Sequence, residues 1–165
     1  MSKHKVNKGE FIVKKLLSVL TLSSSLLLVA CGSDNAVTTE DGLQDGTYAI
    51  EDLNFGETGW KESLEIVVDG GEITDATFTS LDEEGNNKLE DDDYQEAMSG
   101  VTGVGPQDFI PELEGALVDA QNPADVEVVT GATSTSEKFV DYAQQLVDAA
   151  EEGNTETIEV DNQAE

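Results

Sequence analysis

The chain has 165 residues, room for one domain with a modest core, and sets 8 basic residues, none of them arginine, against 36 acidic ones. A formal net charge of −28 repels nucleic acid and anionic membrane surfaces, which argues against direct binding to either. A single cysteine, Cys31, excludes a disulfide framework and any two-cysteine metal or haem-attachment motif.

Residues 1–30 read as a targeting leader that takes no part in the fold. Lys3, Lys5, Lys8, Lys14 and Lys15 make a positive start, and Leu16 to Ala30 is an apolar run too short and serine-rich for a membrane span. It ends in Leu28-Val29-Ala30-Cys31, which resembles a bacterial lipobox and implies Cys31 as a lipidated first residue. An uncleaved anchor helix and a plain secretory signal are the other readings. Five of the 8 basic residues and one acidic residue, Glu10, lie in this leader, so beyond it three lysines face 35 acidic side chains. Residues 31–43 are small and polar and predict a flexible tether.

The domain is expected over residues 44–150. Asp45 to Ile50 gives a turn and a short strand. Trp60 to Val68 alternates: Trp60, Leu64, Ile66 and Val68 share one face, interrupted only by Glu62. Gly70-Gly71 suits a hairpin turn, and the return strand runs from Ile73 to Thr79. Ile73 is out of phase with Ala76 and Phe78, which predicts a bulge or a later strand start. Leu81 to Asp93 is an acidic loop whose spacing does not match an EF-hand, so it reads as solvated. Within it Lys88 is expected to pair with neighbouring carboxylates at the surface.

Tyr94 to Met98 predicts a short helical turn closed by Ser99-Gly100. A longer helix follows over Gln107 to Gln121, with Phe109, Leu113, Ala116, Leu117 and Ala120 facing inward and Pro111 disturbing its first turn. Val126 to Val129 reads as a β-branched strand. The last helix places Phe139, Ala143, Leu146, Val147 and Ala150 on one face. Ser134 with Glu137 three residues on predicts a capping box at its start. The tail, residues 151–165, is acidic and predicts disorder.

Between that strand and that helix lies Thr130-Gly131-Ala132-Thr133-Ser134-Thr135-Ser136. A turn of small residues entering a helix N-terminus suits an anion, because free N–H groups and the helix dipole favour negative charge. The stretch resembles the Ser/Thr-Gly-Ala-Thr flavinylation motif of the FMN-binding domain family, known from flavoprotein subunits of sodium-pumping NADH:quinone oxidoreductases and Rnf complexes. The opening segments, Asp45-Gly46-Thr47-Tyr48, Gly59-Trp60-Lys61 and Asp69 to Phe78, are similar to that family too, and the likeness runs from about Asp45 to Ala150.

The resemblance implies FMN joined through a phosphoester to Thr133, with Thr130, Gly131, Ala132 and Ser134 forming the rest of the cofactor-binding turn. It implies a magnesium-dependent FAD:protein FMN transferase as partner, and this chain as its substrate rather than an enzyme. One position departs from the pattern: Glu127 stands where the family often has Asp. Lys61 and Lys88 are candidate contacts for the flavin or its phosphate, and Trp60 reads as a core aromatic ahead of a flavin contact.

The expected fold is α+β, a single domain with a twisted antiparallel sheet and two or more helices packed on one side. The expected function is an extracytoplasmic electron carrier, lipid-anchored at the outer face of the cytoplasmic membrane. It would take electrons from a membrane quinone pool or NADH dehydrogenase and pass them to an extracellular acceptor. The alternatives are a non-redox acidic lipoprotein that binds cations or cell wall, and an FMN enzyme acting on a small organic acceptor.

Overall fold

Three strands in succession build the platform: β1 (Gly46–Asp52), β2 (Lys61–Asp69) and β3 (Glu72–Leu81). This computed structural model describes residues 42–163; the leader, Cys31 and the chain up to residue 41 lie outside the described residues, as do residues 164–165. β1 pairs antiparallel with β2 and β2 with β3, in the register Ile50↔Leu64↔Phe78. Alternation then puts Tyr48, Ile50, Leu64, Ile66, Val68, Ala76 and Phe78 on one buried face. The Gly70-Gly71 hairpin forms as expected, both glycines holding positive φ (66° and 80°). The bulge forms too. Val68 faces Ile73 while Val67 faces Asp75, so the unmatched Thr74 brings Ile73 into phase with the buried face.

Three helices follow: α1 (Asp92–Thr102), α2 (Pro106–Ala120) and α3 (Thr133–Glu152). α2 packs on β3 and α3 on β1 and β2. The five apolar residues expected on the inner face of α3 are buried, and Tyr142 joins them. Phe78 and Phe139 meet edge to face at 5.7 Å, where β3 meets α3. Each large side chain so buried contributes about 1.5–3 kcal/mol of transfer free energy. Pro111 sits inside α2 without ending it.

Several expectations are corrected. α1 is a full helix over Asp92–Thr102, not a short turn; it is capped by the Asp91 carboxylate on the Tyr94 N–H and ends at Gly103 (φ 87°) rather than at Gly100. Val126 to Val129 joins no sheet. Both edges that it could have extended are occupied. Along β3, the Gln121 side chain accepts the Ile73 N–H (2.7 Å) and the Glu114 carboxylate accepts the Phe78 N–H (2.6 Å). Along β1 lies β4 (Ile158–Val160), a parallel strand from the tail that was expected to be disordered.

The sheet is therefore mixed, in the order β3-β2-β1-β4, within an α+β domain. Ile158 and Val160 pack against the core, and Asn54 exchanges hydrogen bonds with the Asn162 side chain (3.1 and 2.8 Å). These contacts outweigh the acidic composition of the tail. Among the described residues no helix is long and apolar enough to cross a membrane.

Candidate functional site

The motif turn stands at the head of α3. Gly131 takes φ 94°, a conformation costly for any residue with a Cβ. A Cβ at that position would also lie 2.7 Å from the Thr102 carbonyl oxygen, so the end of α1 closes against this turn. The helix begins at Thr133, with Ala132 as N-cap, and no side chain caps it. The predicted capping box is corrected accordingly: Ser134 lies inside the first turn. The first backbone bond of the helix runs from the Ser136 N–H to the Ala132 carbonyl (2.9 Å). The N–H groups of Thr133, Ser134 and Thr135 therefore find no acceptor among the described residues.

The contrast with the other two helices is chemical. α1 carries Asp92 and Asp93 in its first turn beside the Asp91 cap, and α2 carries Asp108, whose carboxylate accepts the Gly105 N–H (2.9 Å). α3 has no acid in its first turn, in a chain of charge −28. Its 20 residues align their peptide dipoles behind that start. Thr130, Thr133 and Ser134 are exposed, Gly131 is half-buried and Ala132 is buried. The turn thus brings together all the residues expected in it, with Thr133 exposed beside unpaired donors. This donor set fits a phosphate group, because N–H donors and the positive helix end both favour an anion.

Beside the N-terminal half of α3 lies a polar cluster that the sequence did not announce. Asp52, at the end of β1 and fully buried, accepts hydrogen bonds from the Lys138 ammonium (2.9 Å), the Glu62 N–H (2.9 Å) and the Tyr142 hydroxyl. Glu62 pairs with Lys138 (2.9 Å) and Lys88 (3.5 Å). Lys88 is not a surface pair with its sequence neighbours, as expected, but 5% exposed. Its ammonium lies 4.7 Å from the ring centroid of Trp60, which meets Tyr94 edge to face.

Burial pushes the Lys88 ammonium below its ordinary pKa, and Glu62 offsets part of that. Burial pulls Lys138 down as well, but its bonds to Glu62 and Asp52 outweigh this and hold it above the ordinary value. Both lysines are committed to carboxylates. Lys61 pairs with Glu51 at 3.7 Å, partly exposed. Trp60 is buried, as its reading as a core aromatic required. The one sequence signal for the cluster was Glu62 on the inward face of an otherwise apolar strand.

A small α+β domain with an uncapped helix start and an exposed threonine beside it has the make-up of a holder for a phosphate-bearing group. The chain belongs to the FMN-binding domain family, whose profile matches residues 59–148. A "15 kDa lipoprotein" of Treponema pallidum is 35% identical over 137 residues, covering 83% of this chain and 92% of that protein. The crystal structure of the CPE2226 protein from Clostridium perfringens is 42% identical, with a TM-score of 0.70 over 73% of this chain and 99% of that one.

Proposed function

We propose that this protein is a lipid-anchored flavoprotein electron carrier with FMN attached through a phosphoester to Thr133. The observation that carries the reading is the exposed Thr133, first residue of α3, beside unpaired N–H groups of residues 133–135. Bound FMN supplies reversible uptake and release of one or two electrons. The chain supplies the tether, the anion-ready helix start and the fixed turn.

An unaided threonine is a weak nucleophile, so attachment requires a separate catalyst. A magnesium-dependent transferase using FAD meets that need. The Thr133 Oγ1 forms a bond to the FMN phosphorus, the pyrophosphate P–O bond breaks, AMP leaves with the electron pair, and the hydroxyl proton passes to a base. A covalent link keeps the cofactor on a carrier that works outside the cytoplasm, where dissociated FMN would be lost by dilution.

The Leu28-Val29-Ala30-Cys31 pattern, together with a relative named as a lipoprotein, supports lipidation at Cys31 and placement at the outer face of the cytoplasmic membrane. Electrons would come from a membrane quinone pool or NADH dehydrogenase and pass to an extracellular acceptor. For the rival cation-binding reading, no group of three or more acidic, His or Cys side chains is placed to hold a metal among the described residues.

The test is the intact mass of the exported protein, produced with and without a flavin transferase. A gain of FMN less one water, mapped to Thr133 and abolished by Thr133→Ala, is the expected result. An unchanged mass and a colourless protein under both conditions would sink the carrier reading.

A further inference from the structure

Ser136 is the most deeply buried residue of the motif, at 0% exposed. Its Oγ accepts the Val129 N–H (3.1 Å) and donates to the Ala132 carbonyl (2.9 Å). The Ala132 N–H returns to the Val129 carbonyl (3.0 Å). These bonds close residues 129–132 into a ring and fasten it to the first turn of α3. The closure matters because Gly131 sits inside the ring, and glycine gives a chain more backbone freedom than any other residue. Thr133 follows directly, so the place of its hydroxyl is inherited from the position of Ala132. Ser134 and Thr135 offer competing hydroxyls within two residues.

We propose that Ser136 is the positioning residue for flavin attachment: its buried hydroxyl locks the Val129–Ala132 turn and thereby presents Thr133, rather than Ser134 or Thr135, to the transferase. The inference rests on the attachment reading above. Ser136 neither touches the phosphorus nor moves the proton. It fixes the backbone from which the Thr133 side chain is presented, and a displacement on the order of 1 Å of a reacting group can cost about a hundredfold in rate.

The experiment compares initial rates of FMN transfer from FAD to this chain and to its Ser136→Ala variant, with the acceptor residue mapped by mass. Expected in the variant is a kcat about ten- to a hundredfold lower with KM for the protein substrate within about twofold, and FMN appearing on Ser134 or Thr135. A purely structural defect would reduce the folded fraction and leave the acceptor unchanged. A folded variant modified on Thr133 at the original kcat overturns the proposal.

Amide exchange in the unsubstituted chain gives a second measurement that does not depend on the variant folding. The lock predicts a protected Val129 amide although that residue lies in no helix or strand. Exchange at the rate of an unstructured peptide overturns the proposal. No FMN transfer to the unsubstituted chain overturns the attachment reading itself, and this inference with it, an outcome distinct from failure of Ser136 alone.

Discussion

Asp52 shows how a charge is tolerated beneath a helix. Removing a carboxylate from water costs several kcal/mol, and an unpaired one would unsettle the core. Three donors offset that cost: the Lys138 ammonium, the Glu62 amide and the Tyr142 hydroxyl. The Tyr142 phenol is held far above its ordinary pKa of 10.0, first by burial and then by its bond to Asp52. Above pH 10.0 the unfolded chain therefore loses a proton that the folded chain keeps, and stability falls as pH rises. Lys138, raised above its ordinary 10.5, acts with the same sign, while Lys88, lowered, acts with the opposite one. Tyr142→Phe is expected to cost about 1–2 kcal/mol near neutral pH through the lost bond. Its stability should also fall less steeply than that of the parent above pH 10.0, measured by urea unfolding. Parallel pH profiles would show that Tyr142 takes no part in the alkaline loss.

Among the elements, β4 has the least support in its own sequence and the clearest structural task. It covers the outer edge of β1, where unpaired N–H and C=O groups would otherwise invite another chain. Truncation after Gly153 removes β4 and the Asn54–Asn162 hydrogen bonds. A loss of about 2–4 kcal/mol is expected from two partly buried aliphatic side chains and the backbone pairing, read from the urea midpoint. An unchanged midpoint would mean that the tail adds nothing to the domain. The opposite edge is closed differently. Gln121 accepts from Ile73 and donates back to its carbonyl (2.8 Å), although its own backbone takes φ 59°. Strain of roughly 1 kcal/mol or more at such a position persists only where surrounding bonds hold it.

For the molecule as a whole, 36 acidic residues against 8 basic ones mean self-repulsion in the compact state. Repulsion between exposed carboxylates is screened as salt rises, since the Debye length shrinks from about 10 Å at 0.1 M to about 3 Å at 1 M. The buried bridges of Lys138 to Asp52 and Glu62 are screened much less. Sodium chloride is thus expected to raise the urea midpoint over that range. A midpoint that falls would indicate that surface ion pairs outweigh the repulsion.

Local periodicity reports burial, and this is why the Trp60–Thr79 hairpin, its bulge and the inner faces of α2 and α3 could be read from the chain directly. The motif was legible for a related reason. A turn of small residues entering a helix is recognisable from neighbours in sequence, although in the fold the end of α1 also closes against Gly131. Some misreadings are local, such as the length of α1 and the cap of α3; the larger ones involve partners far apart in the chain. Val126–Val129 has the composition of a strand, yet the tail at residues 158–160 holds the edge of β1, 108 residues from Ile50. Glu62 looked like a flaw in a pattern until Lys88 and Lys138 met it across the fold. Ser136 looked like one more hydroxyl until folding closed the turn over it. Composition and local spacing fixed which segments are strands and helices in most cases. Which segment won each sheet edge, and which charge met which, was decided in three dimensions, because an edge accepts one neighbour and a buried charge requires a partner.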